Sequence, residues 1–218
     1  MKIAIIGSGH IGGVVGKLWA QAGHQVRFSS RHPENLERLV AESGSNASRS
    51  SVDDAIAFGE IFLIAIPYGS LPDFGKQYAS RLAGKIVMET GNPYPERDGA
   101  VAEQVVRSGL GTGHWSALWL PGTRLVRAFN SVWDRTLDRE AHRPAPQVGI
   151  PLAADDTDAM NTVAGLVREA GFDPVLVGPL SKAREFDVGT AVYNTNMSGP
   201  EVRKKLGLPQ AGTAAPRS

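Results

Sequence analysis

The chain has 218 residues, of which 42% are hydrophobic, and its 23 lysines and arginines nearly balance its 22 acidic residues. This balance excludes a global field that attracts nucleic acid or acidic membranes, so we expect neither as a partner and any bound anion must be held locally. The sequence has no cysteine, which excludes disulfides, thiolate nucleophiles and cysteine-ligated metals, and no apolar run long enough to span a membrane.

Short apolar segments alternate with segments of helical periodicity over the first 130 residues. The apolar segments predict strands at 2–6, 25–29, 61–66, 85–89 and 125–129. The periodic segments predict helices at 10–22, 33–42, 70–79, 100–108 and 114–120, with a short helix capped by Ser51 after a polar loop at 44–51. Alternation of this kind predicts βαβ units in a doubly wound parallel sheet whose two faces are both covered by helices.

The strand and helix pattern restarts after a charged, proline-rich segment at 134–146, which we predict to be a loop. The second part has predicted strands at 148–153 and 174–177, and predicted helices at 155–170, from about 181, and at 200–206. We therefore expect an α/β fold with three parts: a Rossmann domain at 1–133, a small C-terminal α/β domain or extension at 134–208, and a disordered tail at 209–218.

The first predicted turn has the spacing of a dinucleotide-binding fingerprint, Gly7-Ser8-Gly9-His10-Ile11-Gly12. Gly7 permits a tight turn, Gly9 lets a pyrophosphate approach the backbone, and Gly12 lets the following helix pack closely on the strand. The helix N-terminus then offers free N–H groups and a partial positive charge to the pyrophosphate. The residues 7–12 are therefore predicted to bind a dinucleotide.

The second predicted strand ends in Phe28-Ser29-Ser30-Arg31, where NAD-specific sites have a carboxylate that holds the ribose hydroxyls. No carboxylate stands here to repel a phosphate. Ser30 can donate a hydrogen bond, and the guanidinium of Arg31 matches a phosphate dianion. The sequence therefore predicts NADP(H) rather than NAD(H).

These residues, together with five other segments, resemble the NADPH-dependent F420 reductase family, also called F420H2:NADP oxidoreductases. The segments are Gly7–Gly12, Ser30-Arg31, Ile66-Pro67, Asn92-Pro93, Arg127-Ala128-Phe129-Asn130 and Gly178-Pro179-Leu180-Ser181. The resemblance extends to about Leu206, and a similar domain forms the NADPH-binding part of the six-transmembrane ferric reductases.

The resemblance implies that NADP lies on the N-terminal domain and that a second redox cofactor stacks on its nicotinamide. It places Ile66 and Pro67 beside the nicotinamide ribose and Asn92 and Pro93 in the same pocket. It also places Ala128, Phe129 and Asn130 at a strand end near the ligand, and makes the chain a homodimer. Two aromatic residues that follow prolines, Tyr68 and Tyr94, are candidates for stacking on a ring.

Two positions differ from the archaeal members of the family. Asn35 stands where those members have a lysine, so we expect Asn35 to contribute a weaker grip on the 2′-phosphate. Phe129-Asn130 is more similar to the ferric reductase domain. The resemblance implies F420 as the second cofactor, and the difference at Phe129-Asn130 leaves a flavin as the alternative.

Hydride transfer between such rings needs no side-chain nucleophile, and the sequence has no triad order and no histidine pair at metal spacing. We therefore predict a cytoplasmic NADP(H)-dependent oxidoreductase with a small-molecule redox partner, no catalytic side chain and no metal. Two alternatives remain open. One is an NADPH-dependent reductase of a flavin or a small imine or carbonyl substrate, although the residues after Asn130 are too few for the helical domain of imine reductases. The other is a non-catalytic NADP(H)-sensing module.

Overall fold

The computed structural model describes residues 1–210, which form one eight-stranded sheet between layers of helices. In chain order the strands are β1 Lys2–Ile6, β2 Gln25–Ser29, β3 Ala47–Ser50, β4 Ile61–Ile64, β5 Ile86–Glu89, β6 Arg124–Arg127, β7 Gly149–Ala153 and β8 Asp173–Gly178. The helices are α1 His10–Gln21, α2 Glu37–Ser43, α3 Val52–Phe58, α4 Leu71–Leu82, α5 Pro95–Ser108, α6 Thr112–Trp119, α7 Asp134–Glu140, α8 Thr157–Glu169 and α9 Gly199–Lys205.

The spatial order of the strands is β3-β2-β1-β4-β5-β6-β7-β8, and every neighbouring pair is parallel except β6 and β7. The order reverses between β1 and β4, which creates a crevice outside their carboxyl ends. This arrangement confirms the predicted doubly wound α/β fold with a C-terminal extension. The strands β7 and β8 continue the same sheet, and the boundary predicted at residue 133 remains a prediction.

Both faces of the sheet are buried against helices, as expected for parallel strands. On one face Trp19, Phe28 and Phe129 belong to a core that reaches α8 and Phe172. The Trp19 indole N–H donates a hydrogen bond to the carbonyl of Leu166 over 2.8 Å. The first helix of the chain is therefore packed directly against the C-terminal part.

Two predicted loops contain regular structure. The segment 44–51 includes β3, whose residues are small and polar. They lack the apolar alternation of a half-buried strand. The strand forms nevertheless, because its backbone pairs with β2 at the edge of the sheet. The segment 134–146 includes α7. Most residues of this helix are charged, but Thr136 and Leu137 form a buried face.

Some predicted helices differ in type or length. Residues 33–42 divide into a 3-10 helix, Pro33–Leu36, followed by α2, and the helix predicted from about 181 is a 3-10 helix, Leu180–Phe186. The helix predicted at 100–108 starts earlier, at Pro95, and bends at Gly99. Residues 211–218, most of the tail predicted to be disordered, lie outside the described residues. Within the described part, no helix has the length and apolarity needed to cross a bilayer.

Candidate nucleotide-binding cleft

The turn between β1 and α1 has a shape that only glycine permits at two positions. Gly7 has a φ of +91°, and a Cβ atom there would lie 2.6 Å from the carbonyl oxygen of Ala65. A Cβ atom on Gly12 would collide with the carbonyl oxygen of Gly7. The two glycines therefore allow α1 to begin directly against the end of β1.

Gly9 differs from these two glycines because the space around it is open. A Cβ atom at Gly9 would meet no atom within 4 Å. Gly9 is the N-cap of α1, and no side chain caps this end and no acidic residue stands in the first turn. The first N–H groups of α1 thus face open space with the positive end of the helix dipole. A pyrophosphate fits this cradle.

The cradle is tied to the end of the neighbouring strand β2 by hydroxyl groups. Ser8 Oγ donates a hydrogen bond to the carbonyl of Ser29 over 3.1 Å, and Ser29 Oγ donates to the carbonyl of Ile5 over 2.8 Å. These bonds cross from β1 to β2 at their carboxyl ends. They hold the cradle and the turn that follows β2 in one fixed arrangement.

The turn after β2 carries the residues predicted to bind the 2′-phosphate. Ser30 Oγ accepts a hydrogen bond from the backbone N–H of His32 over 3.1 Å. Arg31 is exposed, and among the described residues no carboxylate lies within ion-pair distance of its guanidinium. Asn35 is exposed one turn later and lies along a groove that also includes Ser8 and Gly9. A free guanidinium beside the cradle fits an anion.

A cavity of about 450 Å³ opens at the carboxyl ends of β1, β4, β5 and β6. Nine of the residues predicted from the sequence line it, namely Gly9, His10, Ile11, Ile66, Pro67, Asn92, Tyr94, Phe129 and Asn130. The cavity therefore starts at the cradle and runs along the crevice created by the strand order.

The remaining predicted residues do not line this cavity. Gly7 and Gly12 shape the turn, whereas Pro93 and Ala128 are buried. Tyr68 is fully buried, and its hydroxyl donates to the carbonyl of Thr112 over 2.9 Å. Burial also raises the pKa of the Tyr68 phenol. The sequence predicted that the Tyr68 ring could stack on a ligand ring. The structure contradicts this, because the Tyr68 ring packs on Trp119 in the interior.

The loop after β5 rests on a buried ion pair that the sequence interpretation missed. Arg127 and Glu89 end β6 and β5, and both side chains are almost completely buried in contact with each other. Arg127 Nη2 donates to the carbonyl of Gly91 over 2.9 Å, and Ser116 Oγ donates to the Glu89 carboxylate over 2.7 Å. Burial opposes the charge of Arg127, but the carboxylates of Glu89 and Asp187 outweigh it and raise its pKa. A charged residue at the end of an apolar strand was the available signal.

Asn130 places a buried polar atom at the cavity wall. Its Nδ2 donates to the carbonyl of Phe186 over 3.2 Å and to Asn92 Oδ1 over 3.4 Å, which fixes the orientation of the amide. The Oδ1 atom of Asn130 is buried and has no hydrogen-bond partner within residues 1–210. Such an acceptor is costly unless a ligand or water satisfies it. A ligand N–H group fits this position.

Phe129 keeps the adjacent backbone in an unusual conformation. Its φ is +59°, a value that residues other than glycine adopt rarely. Its ring packs edge-on against Trp19, with ring centroids 5.9 Å apart. The aromatic core therefore fixes the strained backbone that turns into the cavity.

The far wall of the cavity comes from residues distant in sequence. The hydroxyl groups of Tyr94 and Tyr193 are in hydrogen-bond contact, and Arg97 Nη2 donates to the carbonyl of Asn92 over 2.9 Å. Trp133 stands at the wall with half of its surface exposed. Tyr94 was a candidate from the sequence, whereas Tyr193 lies 99 residues further on and no local pattern could identify it.

The helix α7 closes one side of the cradle. His10 Nδ1 lies 3.1 Å from the Asp134 carboxylate, and Lys17 Nζ lies 2.8 Å from that of Asp138. These contacts join α1 to the C-terminal part of the chain. His10 also lines the edge of the cavity. Among the described residues, no group of three or more histidine and acidic side chains is placed to hold a metal ion.

The fold and the cleft define the class of the chain, a Rossmann-type dinucleotide-binding protein. Residues 2–93 match the model of a family described as NADP oxidoreductase, coenzyme F420-dependent. This match confirms the resemblance drawn from the sequence over the part of the chain that forms the cradle and the switch point. The matched family is one of NADP-dependent oxidoreductases, which supports NADP(H) as the dinucleotide.

Metalloreductase STEAP3 of Rattus norvegicus is 26% identical over 194 residues, which is 85% of this chain. The match spans only 36% of the length of that relative. A solved structure of a hypothetical protein from Sinorhizobium meliloti has a TM-score of 0.79 at 24% identity, covering 91% of this chain and 95% of its own. A protein from Arthrobacter sp. fb24, proposed to be an F420-dependent NADP reductase, has a TM-score of 0.71 at 21% identity, covering 91% and 99%. The two structures confirm the fold.

Proposed function

We propose that this chain is an NADP(H)-dependent oxidoreductase that passes a hydride between NADP(H) and a second redox cofactor, the deazaflavin coenzyme F420. One observation carries the proposal: the open N-terminus of α1 at Gly9 leads directly into the cavity of about 450 Å³ at the switch point. The choice of F420 is supported by the description of the family that residues 2–93 match.

The residues of the cradle have distinct roles in this proposal. The N–H groups that follow Gly9 bind the pyrophosphate, and Gly7 and Gly12 keep the turn narrow enough for that approach. Ser30 and the free guanidinium of Arg31 bind the 2′-phosphate. The side chain of Asn35, which lies along the adjacent groove, offers a polar but uncharged contact on the same side.

The cavity residues position the reacting rings. Ile66 and Pro67 form an apolar edge beside the ribose of the nicotinamide, and the buried Oδ1 of Asn130 accepts a hydrogen bond from a ligand N–H. The backbone at Phe129 supplies a rigid wall because its ring is held in the core. When bound, the two cofactors supply the hydride chemistry, which requires close, parallel rings and exclusion of water.

No side chain in the cavity needs to act as an acid or a base. Burial and the hydrogen bond with Tyr94 raise the pKa of the Tyr193 phenol, so this group stays protonated at neutral pH. The Tyr94–Tyr193 contact therefore acts as a neutral wall. We propose that it separates the reacting rings from water on the far side of the cavity.

A flavin is the second candidate for the redox partner. It is supported by the Phe129-Asn130 pair at the cavity, which differs from the archaeal members of the F420 family and is more similar to the ferric reductase domain. We also propose that the chain is cytoplasmic and that it forms a homodimer, the latter by likeness to the F420 reductase family. Sedimentation of the purified chain tests the dimer.

The test is to incubate the full chain with NADPH and, in turn, oxidised F420, FMN and FAD while nicotinamide absorbance is followed. Loss of absorbance with F420 alone is the expected result, and loss with the flavins supports the second candidate. The variant Gly9→Ala, which narrows the cradle without disturbing its neighbours, should slow every reaction that occurs at this site. Tight NADPH binding with no consumption by any acceptor would contradict both candidates and indicate a sensing module.

A further inference from the structure

The strand β3 brings a second arginine to the edge of the sheet beside the predicted 2′-phosphate turn. Arg49 pairs in register with Phe28, and Ser50 pairs with Ser29, the last residue of β2. Neighbouring strands are about 4.8 Å apart. Arg49 therefore stands beside the residues that lead directly into Ser30 and Arg31, although it is almost 20 positions away in sequence.

The side chain of Arg49 extends to that turn. Its Nη1 donates a hydrogen bond to the carbonyl of Pro33 over 3.0 Å, two residues after Arg31. This bond occupies one of the five N–H donors of a guanidinium. This hydrogen bond holds the Arg49 guanidinium at the turn, where its other N–H donors and its positive charge are available to a ligand.

Some of the cationic side chains around the turn are paired with carboxylates, and others are not. Arg38 is paired with Glu42 over 2.6 Å, and His32 is paired with Glu34 over 3.2 Å. Neither Arg31 nor Arg49 has a carboxylate within 4.0 Å anywhere in residues 1–210. Two free guanidinium groups thus flank one turn, and the only carboxylate on the turn itself is already paired with a histidine.

We propose that Arg49 is a second guanidinium of the 2′-phosphate site and sets the preference for NADP(H) together with Arg31. The proposal rests on the function proposed above, because it assigns a further residue to the same site. A phosphate monoester carries a charge of about −1.5 to −2 at pH 7, and one arginine neutralises only part of it. Asn35, on the same turn, adds no charge, so the second cation comes from the adjacent strand.

The proposal is tested with Arg49→Met in the full chain, by calorimetric titration with NADP⁺ and with NAD⁺. Loss of one charge-assisted contact should weaken NADP⁺ binding about fivefold, or about 1 kcal/mol, and leave NAD⁺ binding within about twofold. Arg107→Met is the matched control. It removes the same charge from an exposed arginine of α5 that is paired with Glu103 over 2.6 Å, away from the turn, and it should change neither affinity.

Three other results would overturn the proposal. Equal weakening of NADP⁺ and NAD⁺ would show that Arg49 only holds the turn in shape. A preference that Arg49→Met keeps and Arg31→Met loses would remove Arg49 from the site while leaving the proposed function intact. Binding of neither nucleotide to the unmodified chain would remove the proposed function itself, and the inference with it.

Discussion

The phosphate side of the cleft and its far wall are built from different parts of the chain. The phosphate side uses consecutive backbone groups between Gly7 and Gly12, and its shape follows from which positions tolerate a Cβ atom. The far wall joins Tyr94, Asn130 and Tyr193 from three separate segments. Local backbone geometry therefore shapes the cradle, whereas tertiary packing shapes the far wall, where we propose that the second ring binds.

The buried pair beneath the far wall gives the largest expected effect. Arg127→Met leaves the Glu89 carboxylate buried without its partner and should lower the free energy of unfolding by about 3–5 kcal/mol. Urea unfolding measures this change. The double variant Arg127→Met/Glu89→Leu should regain part of the loss, because it removes both charges. A loss below about 1 kcal/mol in the single variant would mean that this pair does not support the wall.

The 2′-phosphate turn gives the next largest effect, on binding rather than on folding. Arg31→Asp replaces a free guanidinium with a repelling carboxylate and should shift the ratio of NADP⁺ to NAD⁺ affinity about a hundredfold toward NAD⁺. Direct titration with both nucleotides measures the ratio. The turn is exposed, so the unfolding free energy should stay within about 0.5 kcal/mol. An unchanged ratio would remove Arg31 from the site.

Two glycines of the cradle should separate binding from stability. Gly9→Ala places a methyl group in open space where the pyrophosphate approaches, and should weaken NADP⁺ binding about tenfold while costing less than about 1 kcal/mol of stability. Gly12→Ala forces a methyl group against the carbonyl of Gly7 and should cost about 1–3 kcal/mol of stability as well. Equal effects of the two changes on stability would contradict this division.

The smallest effect concerns pH and the loop that carries Tyr94. Burial opposes ionisation of Asp98, but hydrogen bonds from the Arg97 guanidinium and the Tyr94 N–H outweigh it and lower the pKa of Asp98. A lowered pKa in the folded state adds stability above the ordinary carboxyl pKa, and this stability is lost as the pH falls below it.

Urea unfolding at pH 7 and pH 3 tests this linkage. The unmodified chain should lose more stability between the two pH values than Asp98→Asn, by roughly 1 kcal/mol, since the amide does not titrate. Identical losses would show that Asp98 contributes nothing to the pH dependence.

The phosphate side of the cleft is built from local sequence and the far wall from distant segments, and this difference explains what the sequence could predict. The strands β1, β4 and β5 contain continuous apolar runs next to glycines or prolines, and the cradle depends on residues within six positions of one another. The sequence predicts loops where the strand β3 and the helix α7 lie, because their burial comes from neighbours distant in the chain rather than from a periodic apolar pattern. Tyr193 could not be assigned for the same reason. The charge of Arg127 at the end of an apolar strand was a signal, but its partner Glu89 lies 38 positions away in the sequence. The buried position of Tyr68 required knowledge of where α6 packs.

Nucleotide binding at the glycine turn underlies every role proposed for the cleft. Calorimetric titration of the full chain with NADP⁺ and NAD⁺ should give measurable heat with both and an affinity for NADP⁺ at least about tenfold higher, because only NADP⁺ engages the free guanidinium beside the cradle. The absence of heat with either nucleotide would contradict the account.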